Sequence, residues 1–113
     1  GSIYGHVGPD WALYENTPLA NPAGYAASKG GLLQLTRWLA TTLAPDVRVN
    51  AFSPGGIERG QDKAFQTRYL ARTPMGRMAS VHDFKGVALF LASDMSAYIT
   101  GQVIPVDGGW TAW

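Results

Sequence analysis

The sequence predicts an α/β fold in which helices cover a parallel sheet. Three observations carry that expectation. A long helical pattern precedes a short apolar run, further helical patterns follow, and a second apolar run comes near the end. The resulting order of helix, strand, helices and strand belongs to parallel sheets with helical crossovers. The chain has 113 residues, 46% of them apolar, which is enough for one domain with a core and too few for two. Only two strands are legible, and each would present a nearly naked edge. A two-stranded parallel sheet stands poorly alone, so residues 1–113 are expected to form a single partial domain.

Residues 1–24 hold Pro9, Pro18 and Pro22, four glycines and several turn formers. They read as a long loop following a strand cut off at the N-terminus. The aromatics Tyr4, Trp11, Tyr14 and Tyr25 in or just after it imply that the loop packs over something. Residues 22–44 read as a helix, with Asn21 as N-cap and Pro22 at the first position. Its predicted apolar stripe is Leu32, Leu35, Leu39 and Leu43, widened by Leu33 and Trp38, and Pro45 stops it. Gly24, Gly30 and Gly31 weaken this helix unless another backbone or a ligand comes close. Residues 47–53 read as a strand ended by Pro54-Gly55-Gly56, and residues 61–71 as a helix with Phe65, Tyr69 and Leu70 on its apolar side. Ser80 with Asp83 resembles a capping box. It opens a helix to about Ala92 with Phe84, Val87, Ala88 and Leu91 facing inward. Residues 94–101 are a turn region and Val103–Val106 a last strand, before Asp107-Gly108-Gly109. Repeats and linkers are absent.

Composition excludes several classes. Net charge is +1 with no basic cluster, so neither nucleic acid nor an anionic membrane is an expected partner. The chain has no cysteine, which removes disulfide and thiolate-metal chemistry and predicts a cytoplasmic setting. No apolar run reaches membrane-spanning length, and no signal-peptide pattern is present. His6 and His82 have no companion ligands at metal-binding spacing, so no metal site is predicted. Asp10, Glu15 and Asp94 read as isolated carboxylates, and Met75 and Met78 as residues that flank a substrate pocket or fill the core, with the core preferred. Charged residues are only 15%, which predicts that some faces are covered by partner chains. The chain opens Gly1-Ser2 rather than Met. Either an upstream segment has been removed or these two residues are the scar of a cleaved tag.

Tyr25 and Lys29 stand four residues apart and project from one helix face. An ammonium group beside a phenol favours the phenolate, so the pair can exchange a proton with an alcohol or carbonyl oxygen near neutral pH. A serine hydroxyl nearby can hold the same oxygen, and hydride transfer then needs a nicotinamide against the carbon. Taken alone, the pair is better read as an ordinary surface pair. Its neighbours change that preference. The run Tyr25-Ala26-Ala27-Ser28-Lys29-Gly30-Gly31 resembles the Tyr-x-x-x-Lys signature of the short-chain dehydrogenase/reductase family. Arg48-Val49-Asn50-Ala51-Phe52-Ser53-Pro54-Gly55 resembles the family's next strand and Pro-Gly turn. Pro74-Met75-Gly76-Arg77 is similar to the segment after its substrate loop. Leu91-Ala92-Ser93-Asp94, Ile99-Thr100-Gly101-Gln102 and Val106-Asp107-Gly108-Gly109 resemble its last helix and strand.

The resemblance implies a Rossmann-like, doubly wound parallel sheet, of which this chain is the C-terminal, catalytic portion without the cofactor-binding half. It implies an NAD(P)-dependent oxidoreductase that interconverts a secondary alcohol and a ketone. Tyr25 would be the general acid/base, Lys29 its cation and the ligand of the nicotinamide ribose, and Ser2 the substrate-orienting serine. Pro54, Gly55 and Gly56 would admit the nicotinamide, and the Ile57 N–H would reach its carboxamide. Asn50 and Asp107 would tie turns together. Trp110 and Trp113 are core or interface residues, and the resemblance favours a subunit contact in a homo-oligomer (dimer or tetramer). The long gap between Ser2 and Tyr25, with extra residues roughly from Pro9 to Leu19, resembles members acting on sugars or nucleotide-linked sugars, as in surface-polysaccharide and flagellin-glycan pathways. After Pro54-Gly55 the family often carries a threonine, and here the run is Gly56-Ile57-Glu58-Arg59-Gly60. The glycine-rich turn that seats a pyrophosphate is absent, as is the residue selecting NAD or NADP. The chain alone is therefore expected to bind no cofactor and to be inactive. The alternative is a truncated, non-catalytic module that survives as an oligomer or ligand binder.

Overall fold

A computed structural model describes all 113 residues. Its regular elements are α1 (Ala23–Leu43), β1 (Ala51–Pro54), α2 (Lys63–Arg72), α3 (Lys85–Ala92) and β2 (Val103–Val106). Short 3-10 turns occupy 3–5, 11–14, 81–84 and 94–96. β1 and β2 pair in parallel, with Ala51 opposite Val103 and Pro54 opposite Val106, and form a two-stranded sheet.

The strand expected from residue 47 joins the ladder only at Ala51, because side chains replace backbone partners before it. The Val49 N–H donates to Thr100 Oγ1 at 3.0 Å. Asn50 bridges both ways: its Nδ2 donates to the Ile99 carbonyl at 2.8 Å, and its Oδ1 accepts from the Gln102 N–H at 3.0 Å. The Arg48 guanidinium donates to the carbonyls of Leu91 (3.2 Å), Ser93 (3.1 Å) and Ile99 (3.1 Å) and to Ser96 Oγ (2.9 Å). A cation at the C-terminal end of α3 meets unpaired carbonyls and the negative end of the helix dipole. Arg48→Ala is expected to lower unfolding free energy by about 2–4 kcal/mol. The measurement is the urea midpoint, and an unchanged midpoint would show that the clamp contributes nothing.

α1 differs from the expected stripe. The side chains it buries are Leu33, Thr36 and Ala40, whereas Leu32, Leu35, Trp38 and Leu43 are each at least 40% exposed. Thr36 tolerates burial because its hydroxyl donates to the Leu32 carbonyl at 2.9 Å. Leu33 of the buried row meets the turn at 3–5, where a Cβ on Gly5 would lie 2.9 Å from the Lys29 carbonyl group, and Ala40 lies against Gly101. The close backbone approach thus falls on Gly5; Gly24 and Gly31 have open space around them. His6 Nε2 and Ser53 Oγ, 2.9 Å apart, fasten this turn to β1. Asn21 is not the N-cap: Pro22 holds that position without a side-chain bond, and the buried Asn21 amide has no partner.

In α3 no residue is buried, since no further layer covers it; Phe84, Val87 and Leu91 are half-buried and Ala88 is exposed. The Ser80–Asp83 capping box is present and opens the 3-10 turn that leads into α3. Arg77 grips the Asp83 carboxylate with two bonds of 2.8 Å, and the Ser80 N–H adds a third at 2.6 Å. The guanidinium first, then Ser80, holds that carboxyl well below the usual carboxylate range. A depressed folded-state value stabilises the protein above the unfolded value, about pH 4, and that stabilisation is lost as pH falls. Asp83→Asn is therefore expected to flatten the acid limb of a stability-versus-pH curve below about pH 4.

The main core lies beside the C-terminal ends of the strands. It comprises Ile3, Leu13, Phe65, Tyr69, Met78 and Trp110, with Tyr4, Tyr14 and Leu19 packed against it. Trp110 is thus core rather than interface, since Tyr69 stacks on it at 5.9 Å, while Trp113 is 75% exposed. Met78 is buried and Met75 is not. Asp10 is not isolated. It caps the 11–14 turn and pairs with Arg72 at 2.7 Å, which pins the long N-terminal loop onto α2.

Candidate functional site

The 3-10 turn after Ser2, the start of α1 and the turn after β1 meet at one cleft of about 400 Å³. Ser2, Tyr25, Pro54, Gly55, Gly56 and Ile57 all line it. Lys29 does not. It sits one helical turn behind Tyr25, with Nζ 5.3 Å from the ring centroid, a cation over the aromatic face. Ser2 is buried, and its Oγ accepts the Tyr4 N–H at 3.2 Å, so its own hydrogen remains free to donate.

Three other phenols line the cleft, and all are occupied. The Tyr4 and Tyr14 hydroxyls bond each other at 2.8 Å. Burial, then the Tyr14 hydroxyl, pushes the Tyr4 phenol well above its ordinary value. The Tyr69 hydroxyl accepts the Gly56 N–H at 2.5 Å, and burial raises that phenol too, against the pull of the N–H. Tyr25 has the one cleft phenol with no hydrogen-bond partner in the protein.

The glycines of the turn answer to the chain's own packing. A Cβ at Gly55 would lie 2.9 Å from the Asp107 Cα, and one at Gly56 would lie 2.8 Å from the Tyr69 ring. Asp107 ties its own turn, accepting from the Gly109 N–H (3.0 Å) and the Thr111 N–H (2.9 Å). Beyond the glycines, Ile57 and Ala79 form a parallel bridge, in which the Ala79 N–H donates to the Gly56 carbonyl and the Ala79 carbonyl accepts from the Glu58 N–H. The Ile57 N–H has no acceptor. An unpaired donor on the cleft wall suits a carboxamide, so the Ile57 end fits a nicotinamide. No Gly-x-Gly-x-x-Gly turn occurs among these residues to hold the phosphates.

Sequence reasoning missed part of the wall. Tyr69, expected only on the apolar side of its helix, faces the cleft, and Met78, expected beside a pocket or in the core, is both buried and on the cleft wall. Arg59 and Gln61 line it as well. The one signal for Arg59 was its place soon after the Pro-Gly turn, where a threonine was expected. No helix is long and apolar enough to cross a membrane.

A family model described as enoyl-(acyl carrier protein) reductase matches residues 13–111. The galactitol 2-dehydrogenase (L-tagatose-forming) of Cereibacter sphaeroides is 43% identical over 99 residues, which cover 80% of this chain and 39% of the relative. A short-chain dehydrogenase from Leptospira borgpetersenii with bound NAD+ superposes with a TM-score of 0.92 at 42% identity, covering 98% of this chain and 42% of that one. A gluconate 5-dehydrogenase from Burkholderia cenocepacia, in complex with NADP and tartrate, gives 0.82 at 33% identity, covering 99% and 43%. The chain therefore spans about two fifths of the length of the relatives it matches. Matched over nearly all its residues by the family model, and carrying the two-stranded parallel part of a Rossmann-like α/β sheet, the chain belongs to the short-chain dehydrogenase/reductase family of oxidoreductases.

Proposed function

We propose that these residues form the catalytic portion of an NAD(P)-dependent enzyme interconverting a secondary alcohol and a ketone on a sugar-like small molecule. The observation that carries this reading is the unpartnered Tyr25 hydroxyl on a cleft shared with Ser2, with Lys29 one turn away. Tyr25 gives its proton to the carbonyl oxygen in reduction and takes it back in oxidation. Ser2 donates its free hydrogen to the same oxygen and fixes its position. Lys29 places a positive charge against the ring, which stabilises the phenolate formed in turnover. The Ile57 N–H and the Pro54-Gly55-Gly56 turn would hold a nicotinamide, with Tyr25 and Lys29 binding its ribose, and that group would supply the hydride donor or acceptor.

The test uses protein expressed from the whole reading frame that encodes these residues. It should oxidise galactitol or a related polyol with reduction of NAD or NADP, and complete inertness toward polyols and sugars would count against the reading. Ser2→Ala is expected to lower kcat about 10²-fold, measured by steady-state kinetics. Residues 1–113 alone should be silent, because no turn here seats a pyrophosphate. Saturable NADH or NADPH binding by them at micromolar levels would refute that. The reading takes the enzyme to be a cytoplasmic homo-oligomer acting on small molecules, in keeping with a net charge of +1 and the lack of cysteine.

A second reading, a non-catalytic oligomeric module, is favoured by the exposed α1 residues Leu32, Leu35, Trp38 and Leu43. Light scattering on the 113-residue chain distinguishes the two when combined with the activity assay: a stable, inert assembly from a reading frame beginning at this point favours the module.

A further inference from the structure

We infer that the paired hydroxyls of Tyr4 and Tyr14 are a specificity-determining site, which selects a substrate carrying a second free hydroxyl beyond the one oxidised. The inference rests on the dehydrogenase reading above and assigns residues to its substrate class. Each phenol carries one hydrogen, and the pair makes one bond, Oη to Oη at 2.8 Å. One hydrogen is therefore spent between them, whichever phenol donates it. The other has no acceptor in the protein, although both rings line the cleft that holds Tyr25 and Ser2. Neither ring is a free surface group. Both are half-buried in packing that this chain itself supplies: Tyr4 meets the Trp110 ring edge-on at 6.2 Å, and Tyr14 lies 5.5 Å from the Phe65 ring.

Tyr14 belongs to the stretch from Pro9 to Leu19 that lengthens the gap between Ser2 and Tyr25. That stretch is fastened on both sides of the ring. Before it, Asp10 pairs with Arg72 and Leu13 is buried in the core. Around it, Arg68 donates to the carbonyls of Leu13 and Glu15, and Thr17 Oγ1 donates to the Tyr14 carbonyl at 2.9 Å. A phenol held in this way is in place before a ligand arrives, which lowers the cost of ordering the site. Burial, then the Tyr14 hydroxyl, raises the Tyr4 phenol, so the pair stays protonated and neutral. A neutral pair with one hydrogen to give and lone pairs to receive matches an alcohol hydroxyl, which also gives one and receives. Leu19 and Phe65 line the same cleft and suit the C–H face of a hydroxylated carbon chain. A monohydric alcohol would shut the spare hydrogen away without an acceptor, and a site built to bond a hydroxyl rejects the analogue that lacks it.

The test compares galactitol and D-glucitol with 2-hexanol, which keeps six carbons and one secondary alcohol. Whole-reading-frame protein is assayed beside its Tyr4→Phe/Tyr14→Phe double variant. Removing both hydroxyls together orphans neither, so the melting temperature should hold. Wild type should prefer the polyols in kcat/KM, and the double variant should raise their KM about 10–100-fold with little change in kcat. The KM for 2-hexanol should stay or fall. Each single variant should reproduce part of the polyol effect, and these decide the matter by the same criterion if the double variant does not fold. An unchanged polyol KM, or a rise shared equally by 2-hexanol, overturns the inference. So does a fall in melting temperature with loss of both activities, which would make the pair a prop for its loop. Tyrosine-ring ¹H–¹³C spectra keep this outcome apart from the dehydrogenase reading. Galactitol that shifts the Tyr4 and Tyr14 signals without any turnover upholds the hydroxyl site and sinks the dehydrogenase reading. Turnover without the Tyr4- and Tyr14-dependent polyol preference does the opposite, and absence of both sinks both.

Discussion

Replacing Tyr25 with phenylalanine is expected to lower turnover about 10²–10⁴-fold and to leave folding untouched. The two halves of that expectation have one structural cause. The Tyr25 hydroxyl bonds nothing in the protein, so its removal breaks no contact and orphans no buried group. Its ring stays, and with it the contact to Lys29. A variant of Tyr69 would behave in the opposite way. That hydroxyl holds the Gly56 N–H and the ring packs in the core, so Tyr69→Phe should cost stability and shift the Pro54–Ile57 turn. The pair of variants therefore separates a chemical phenol from a structural one in the same cleft. Matched kcat values for wild type and Tyr25→Phe, with equal melting temperatures, would remove Tyr25 from the chemistry.

The contrast between these two phenols also shows what a linear sequence can reveal. The contact between Tyr25 and Lys29 is legible because it is local: four residues of helix bring them to one face. The Ser80–Asp83 box and the Asn50 and Asp107 ties are local or belong to recognisable turns, and they too were legible. Tyr69 was found as an apolar residue, but its bond to Gly56 depends on how α2 returns over β1, and no spacing encodes that. The α1 stripe failed for a related reason. Leucine periodicity states which side chains gain by burial, and burial still requires a partner layer. Here residues 1–5 lie against Leu33, and Gly101 lies against Ala40, instead. Asn21 failed as a cap because Pro22 took that position and the asparagine turned inward.

Truncating Trp110 to alanine is expected to destabilise the chain by about 3–5 kcal/mol, a large part of the stability of any domain this size. Trp110 is 1% exposed. Tyr69 stacks on it at an interplanar angle of 17°, Tyr4 meets it edge-on at 6.2 Å, and the Arg72 guanidinium covers it 4.5 Å from the ring centroid. No neighbour can fill the volume left, because these groups are themselves held, Arg72 by Asp10 and Tyr4 by Tyr14. The Arg72–Asp10 pair is partly exposed and by itself contributes little; its effect is to keep the guanidinium over the indole. Trp110→Phe gives the discriminating control. The indole Nε1 is buried without a partner, so phenylalanine removes an unsatisfied donor along with the lost area, and its cost should be well under half that of alanine. Urea unfolding followed by circular dichroism reads both variants. A small loss in Trp110→Ala would mean that the aromatic stack does not hold the cleft wall, and Tyr69 and the glycine turn it supports would then need another anchor.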